Sequence, residues 1–466
     1  MLSEAISYYH SLLDDETARD NQRLLDDAQR QAGLYFGERP ISTVLRPRLL
    51  TPQQYEHLRQ VSEIVAFASR SACAYVLDDS RVRDLMAFTP GEEALLEIDP
   101  GYTEPSASSR LDSFFDNDTG SLQFVEYNAE SPAAIAYEDV LSDVFMALPV
   151  VQAFGQRYRI RPIPARHRMF QALMEAFREW GRADEPRAAI LDWQGLPTHS
   201  EFVLFRDYFA EQNLDTIICS PEELEYRDGT LYAQGRPINL VYRRLLTSEF
   251  LGRYGDAALE HPLVRACKDY KVCLVNSFRT KPLYKKMLFG LLSDPEIMDA
   301  AGIDRDTQTT LARHIPWTRR VQRGSTTYQG QEIDLLAFVV ENQDRLLLKP
   351  NDEYGGKGIT IGWEVGPDEW RRALDAALDD PFVVQERVHI AYEDYPSVQD
   401  GRLHIGRRLV DTDPYLFGTH VEGCLTRLST VTLLNVTAGG GSTVPTLLIE
   451  PRDVAAVAPI DRSKGE

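Results

Sequence analysis

The stretch Leu346-Leu347-Leu348-Lys349-Pro350-Asn351-Asp352-Glu353-Tyr354-Gly355-Gly356-Lys357-Gly358-Ile359-Thr360-Ile361 constrains this chain more than any other. An apolar run that closes on lysine, a glycine-rich turn and a second apolar run read as strand, loop, strand. A lysine at the end of a buried strand must either extend its ammonium to water or meet an anion. The glycines let backbone N–H groups approach a ligand without a Cβ clash, as a polyphosphate cradle requires. The loop is not a P-loop, because it lacks the Gly-Lys-Ser/Thr ending, and a plain hairpin turn is the other reading.

Helices and strands alternate on both sides of this segment. Downstream, Asp368 caps a helix carrying Trp370, Leu374 and Leu378, and a strand runs from Phe382 to Val388. Upstream, Ala188 to Leu191 is a short strand, Thr198-His199-Ser200-Glu201 a capping box, and Phe202, Phe205 and Phe209 a helical face before Thr216 to Cys219, which together make one βαβ unit. Asp228-Gly229 marks a hairpin, and the strand Ile238 to Tyr242 ends in Arg243 and Arg244. The first hundred residues read as mainly helical, with a helix start at Thr51-Pro52-Gln53-Gln54 followed by Leu58, Val61, Val65 and Ala68. From Arg110 a β-hairpin is expected, turning at Asp116 to Gly120 and returning through Leu122 to Asn128. Beyond Leu448 the tail reads as weakly tethered.

A chain of 466 residues suggests two or three domains. Its 50 Lys and Arg against 71 Asp and Glu give a net charge of −21, which argues against a broad electrostatic grip on nucleic acid or anionic membrane. Phosphate binding, if present, must be local. The five cysteines include no C-x-x-C pair and read as reduced, packing thiols. Without a basic, apolar leader or a long apolar run, the expectation is a soluble cytoplasmic protein.

Asp112, Glu126 and Asn128 carry the hard oxygen ligands that Mg²⁺ prefers, with water and phosphates completing the shell. Glu126 and Asn128 share one strand face, as do Arg110 and Asp112, so a cation and a metal ligand could meet the same anion. The competing reading is a solvated hairpin face with a surface ion pair. Gly423-Cys424-Leu425-Thr426-Arg427 precedes a strand-like Val431 to Val436 and the run Gly439-Gly440-Gly441-Ser442, which suggests close approach to a ligand or a mobile loop. Arg243 and Arg244 could greet a substrate carboxylate or form salt bridges. No histidine has metal-ligand spacing, and Tyr8-Tyr9 reads as core.

In combination these motifs resemble the circularly permuted ATP-grasp family, which includes the synthetase half of glutathionylspermidine synthase. The family order is Arg110-Leu111-Asp112, Glu126-Tyr127-Asn128, Val275-Asn276 with Lys285-Lys286, Lys349 with its glycine loop, Val384 to Val388, then Gly423 to Arg427 with Asn435 and Gly439 to Gly441. The resemblance implies a multi-lobed α+β and α/β architecture: a mainly helical region (1–105), the permuted metal-binding part of the core (106–185), a βαβ substrate lobe (186–254), a nucleotide-clamping lobe (255–400), a return to the core (401–448) and a flexible tail (449–466).

It also implies ATP and Mg²⁺ as cofactors. Asp112, Glu126 and Asn128 would carry the metal, and Lys349 with one of Lys285 and Lys286 would hold phosphate oxygens; Lys286 fits the family's K-x-L helix start better. The backbone of Gln385 to Val388 would bond the adenine edge, and Glu386 a ribose hydroxyl. Gly355, Gly356 and Gly358, with Lys357 among them, would form the lid. Arg110 and Arg427 would stabilise charge on an acyl phosphate formed from a small-molecule or peptide carboxylate, which an amine then attacks. No amidase domain is carried over, and the loop lacks the Arg-Glu-Gly of glutathionylspermidine synthase, so neither spermidine nor glutathione is implied as substrate. A nucleotide-binding regulator and a small-molecule kinase are the alternatives.

Overall fold

The computed structural model describes residues 1–431 and 441–452. The helical start forms as its sequence dictates. Thr51 accepts the Gln54 N–H and Gln54 Oε1 accepts the Thr51 N–H at 2.9 Å, with Pro52 in the first turn of the helix Pro52–Asp78. Leu58, Val61, Val65 and Ala68 are buried against Phe115, Leu122 and Phe124 of the β-hairpin. This long helix thereby fixes the back of the hairpin whose other residues face the site.

The hairpin, Ser109–Phe115 paired with Leu122–Asn128, belongs to a nine-stranded sheet. Its register sets Arg110 opposite Asn128 and Asp112 opposite Glu126. Next come Asp413–Phe417, His420–Ser429, Arg402–Val410 and the edge strand Tyr392–Gln399, while Ser442–Pro451 pairs with His420–Ser429 and also carries Arg48–Leu50 and Tyr158–Pro162. The last strand continues through Leu448 to Pro451 with Ile449 fully buried, so the loose tail expected from 449 does not begin there. The readings on Asn435, on Gly439 and Gly440, and on Val431 to Val436 beyond Val431 itself lie outside the described residues. At Gly423, φ is 85° and an added Cβ would lie 2.5 Å from that of Ala165, so this glycine is required by packing.

A second, parallel sheet has the order Cys273–Val275, Leu240–Arg243, Ala188–Leu191, Thr216–Cys219. The helix His199–Glu211 makes the expected βαβ crossover, with Phe202, Phe205 and Phe209 buried. Its capping box does not form: Thr198 makes no side-chain cap, because Glu201 is buried and committed to the Ala136 N–H and to Arg244. Ile238 also departs from expectation and ends a strand of a separate three-stranded sheet. Asn239 divides the run, its Oδ1 accepting the Arg187 N–H at 2.7 Å. The Asp228-Gly229 hairpin forms with both residues at positive φ.

The third sheet has the order Thr318–Arg320, Phe382–Glu386, Leu346–Pro350, Thr360–Ile361 and is antiparallel throughout. The helix Pro367–Asp379 covers it with Trp370, Leu374 and Ala377. Its N-cap is Gly366, not Asp368, which sits in the first turn and complements the helix dipole instead. Phe382–Glu386 stops short of Val388: its register with Leu346–Pro350 extends by one bond, from the Arg387 N–H to the Arg345 carbonyl at 2.8 Å, and goes no further. All five cysteines are buried and unpaired, as packing thiols should be. Among the described residues no helix is long and apolar enough to cross a membrane.

Candidate active site

The large sheet, the antiparallel sheet and the residues that follow two strands of the parallel sheet line one cavity of about 730 Å³, within the usual range for a small-molecule site. Of the residues expected there, Arg110, Asp112, Glu126, Asn128, Lys349, Gly355, Gly356, Lys357, Gln385, Glu386, Val388 and Arg427 line it, and Lys286 and Gly358 do not.

On the large sheet, Asp112 is the centre of a charged cluster. Its Oδ1 accepts from Arg110 Nε at 2.7 Å and from Asn128 Nδ2 at 2.9 Å, and its Oδ2 from Arg427 Nη2 at 2.6 Å. Burial raises the Asp112 carboxyl, yet Arg110 and Arg427 outweigh it and hold the group well below the usual carboxylate range. Arg427 also binds Asp411 through Nε at 2.7 Å and lies 3.0 Å from Asp413. Burial and the neighbouring Asp112 push Asp413 strongly upward, as three carboxylates around two arginines demand. Asp411 and Asp413 escaped the sequence reading. Their alternate spacing between two strands was the one visible signal, and it is indistinguishable from a polar turn.

On the antiparallel sheet, Lys349 is buried and points its ammonium at neutral oxygens, Gln385 Oε1 at 2.7 Å and the Val125 carbonyl at 3.2 Å. No carboxylate among the described residues lies within ion-pair distance of it. Burial therefore pushes its pKa down to about 8, against the attraction of Glu126. Gln385 is fixed in turn by donating to Thr318 Oγ1 at 3.0 Å, so its side chain orients Lys349. Glu386 accepts from Arg345 and Tyr328, each at 2.7 Å.

The adjacent lysines have different surroundings. Lys285 is paired with Glu92 at 3.0 Å and Asp352 at 3.2 Å, and Lys281 with Asp352 at 2.7 Å and Glu130 at 3.4 Å. Lys286 instead approaches Glu126 at 3.8 Å and donates to the Glu353 carbonyl, at the edge of the cavity. These contacts tie down the root of the glycine loop at Asp352 and Glu353. Beyond the root, Gly355 and Gly356 line the cavity and Lys357 rests over the Tyr354 ring at 4.4 Å. Gly358 serves packing: at φ +70° its added Cβ would meet Pro350 Cγ at 2.7 Å. Both arginines after the parallel sheet take the salt-bridge alternative, Arg243 with Glu130 and Arg244 with Glu201, each at 3.1 Å.

Among the described residues no group of three or more His, Cys, Asp or Glu side chains is arranged to hold a metal ion. Mg²⁺ accompanying a polyphosphate needs only one or two protein carboxylates. Glu126, whose nearest cation is Lys286 at 3.8 Å, fits that need with Asp112 and Asn128 beside it.

No family profile matches the chain. A Frankia casuarinae protein named "Putative glutamate--cysteine ligase 2-2" is 23% identical over 344 residues, covering 69% of this chain. The chain spans 36% of the length of that relative. Among solved structures, a glutathione synthetase-like effector from Globodera pallida, in its apo form, superposes with a TM-score of 0.55 at 11% identity over 94% of both chains. A structure from Methylobacillus flagellatus KT titled as a "Putative gamma-glutamylcysteine synthetase" gives 0.42 at 11% identity over 86% of this chain and 89% of its own. The first of these superpositions speaks for architecture: the chain has a mixed α/β fold like that of the glutathione synthetase-like effector.

Proposed function

We propose that this protein is an ATP- and Mg²⁺-dependent carboxylate–amine ligase of circularly permuted ATP-grasp type, forming an amide or peptide bond and releasing ADP and phosphate. The observation that carries the proposal is Lys349, a buried cation on the wall of a large cavity whose protein partners are all uncharged. Such a group is stabilised by a bound anion. The names of the Frankia relative and of the Globodera effector agree with a ligase.

ATP would supply the phosphoryl group that activates the carboxylate, and Mg²⁺ the neutralising charge between the phosphates. Lys349, oriented by Gln385, would hold phosphate oxygens, and Lys286, which does not line the cavity, would join it on leaving the Glu353 carbonyl. Glu126, with Asp112 and Asn128 beside it, would offer the oxygens for Mg²⁺, Asp112 being held meanwhile by Arg110 and Arg427. The backbone from Gln385 to Val388 bonds the adenine edge. Glu386, fixed by Arg345 and Tyr328, offers its second oxygen to a ribose hydroxyl. Gly355, Gly356 and Lys357 cover the phosphates. Arg110 and Arg427 face the oxygen on which charge develops as the carboxylate attacks and again as the amine displaces phosphate, where fixed cations in a desolvated site act most strongly. Residues 106–185 and 401–448 then form the metal side, 186–254 the substrate lobe and 255–400 the clamp. The carboxylate is a small molecule or peptide.

Incubation with Mg²⁺-ATP, a small-metabolite extract and hydroxylamine tests this. ADP together with a hydroxamate is the expected result. AMP, or a phosphorylated product that survives neutral hydroxylamine, would overturn the acyl-phosphate route.

A further inference from the structure

The mechanism above leaves one part of the cavity without a task. Asp192, Leu196, Pro197, Thr198, Leu246 and Glu249 line it where the parallel sheet ends. In that sheet the strand order reverses at Ala188–Leu191, since the chain passes to Thr216–Cys219 on one side and later returns to Leu240–Arg243 on the other. Open parallel sheets take their ligands beyond the carboxyl ends of the strands at such a reversal. Asp192 follows the first of the two strands directly, and Arg244 the second.

Asp192 is 9% exposed, and among the described residues the one hydrogen bond its carboxylate accepts is from the Trp193 N–H at Oδ1, 2.8 Å. Its Oδ2 has no partner among the described residues. The cations nearby are committed elsewhere: Arg244 to Glu201, the Pro132 carbonyl and Tyr242, and Arg243 to Glu130. Burial accordingly pushes the Asp192 carboxyl up to about 6. Glu249 is the second carboxylate here and is positioned by the same tryptophan, whose Nε1–H donates to Glu249 Oε2 at 3.2 Å. It too has no ion-pair partner among the described residues. Two carboxylates are thus tied to Trp193 on the wall of a partly apolar cavity, Asp192 through its backbone N–H and Glu249 through its indole N–H, and among the described residues neither forms an ion pair.

We infer that Asp192 and Glu249 form the subsite for the ammonium group of a primary-amine substrate, a reading that rests on the ligase proposal. An ammonium carries three donors and one positive charge, which matches an open Asp192 oxygen and a neighbouring carboxylate.

Calorimetric titration of the full-length chain with 1,4-diaminobutane and with the size-matched 1,4-butanediol, each with and without Mg²⁺-ATP, tests this. The diamine should bind and the diol should not. Asp192→Asn, which retains the acceptor for the Trp193 N–H, should weaken diamine binding about tenfold, and Glu249→Gln about threefold. Equal diamine affinity in wild type and both variants, or no diamine binding up to about 10 mM under either condition, would overturn the subsite. A separate titration of the same chain with Mg²⁺-ATP reads nucleotide binding, and its failure would count against the ligase proposal alone.

Discussion

Two groups of buried lysines lie close together in this molecule and are treated in opposite ways. Lys281 and Lys285 share Glu92, Glu130 and Asp352, so every charge has a partner inside the protein. Lys349 is equally buried and has only a carbonyl and an amide oxygen. Burial costs both groups their hydration, but the first recovers it within the fold and the second does not. What separates the Lys281–Lys285 network from Lys349 is therefore the balance of charge, since burial is common to both.

The sharpest way to break this comparison is to remove each ammonium in turn. Lys349→Met should reduce turnover about a thousandfold, ~4 kcal/mol in the barrier, while leaving the unfolding midpoint unchanged or higher, because a desolvated charge has been replaced by an apolar chain. A large drop in the midpoint would make Lys349 structural. Lys281→Met should do the reverse and destabilise the fold by about 3 kcal/mol in chemical denaturation, since Glu130 and Asp352 lose a partner.

His261 sharpens the rule at a distance from the cavity. Its Nδ1 accepts the Leu263 N–H at 3.2 Å, and burial pushes its pKa down to about 4, against the Pro221 backbone and the charge of Glu222. The unfolded chain takes up this proton near pH 6.5, so the stability it contributes is present above that value and is lost as pH falls toward 4. The loss should reach about 2 kcal/mol, allowing for partial solvent screening, and His261→Gln should flatten the slope of unfolding free energy over that window. The smallest effect concerns the glycine loop: Gly358→Ala should lower stability by about 1 kcal/mol through its positive φ and Pro350 contact. An unchanged midpoint would show that Pro350 yields.

What was legible beforehand follows local pattern. The hairpin register that sets Arg110 opposite Asn128 and Asp112 opposite Glu126 is implicit in alternation about a recognisable turn, and Lys349 stands out because it interrupts an apolar run. Asp411 and Asp413 were not legible, because only the order of strands in the large sheet brings them to Arg427. Glu201 was misread for a related reason. A Thr-x-x-Glu spacing satisfies the cap rule locally, but Arg244, 43 positions on, competes for the carboxylate and wins. Asp192 and Glu249 look like ordinary surface acids until the fold shows both on the cavity wall, neither in an ion pair among the described residues.

The strand Ser442–Pro451 joins Arg48–Leu50, Tyr158–Pro162 and His420–Ser429, segments widely separated along the chain. A chain emerging from the ribosome carries Arg110 and Asp112 long before this strand exists to complete their sheet. Closure of so distant a pairing is slow, and its partners wait with unpaired edges meanwhile. The parallel sheet, assembled from residues 188–275, has no such wait. During synthesis the half of the cavity next to Asp192 is thus able to take shape well before the half that holds Asp112, and a ribosome stalled before residue 442 would display the one without the other.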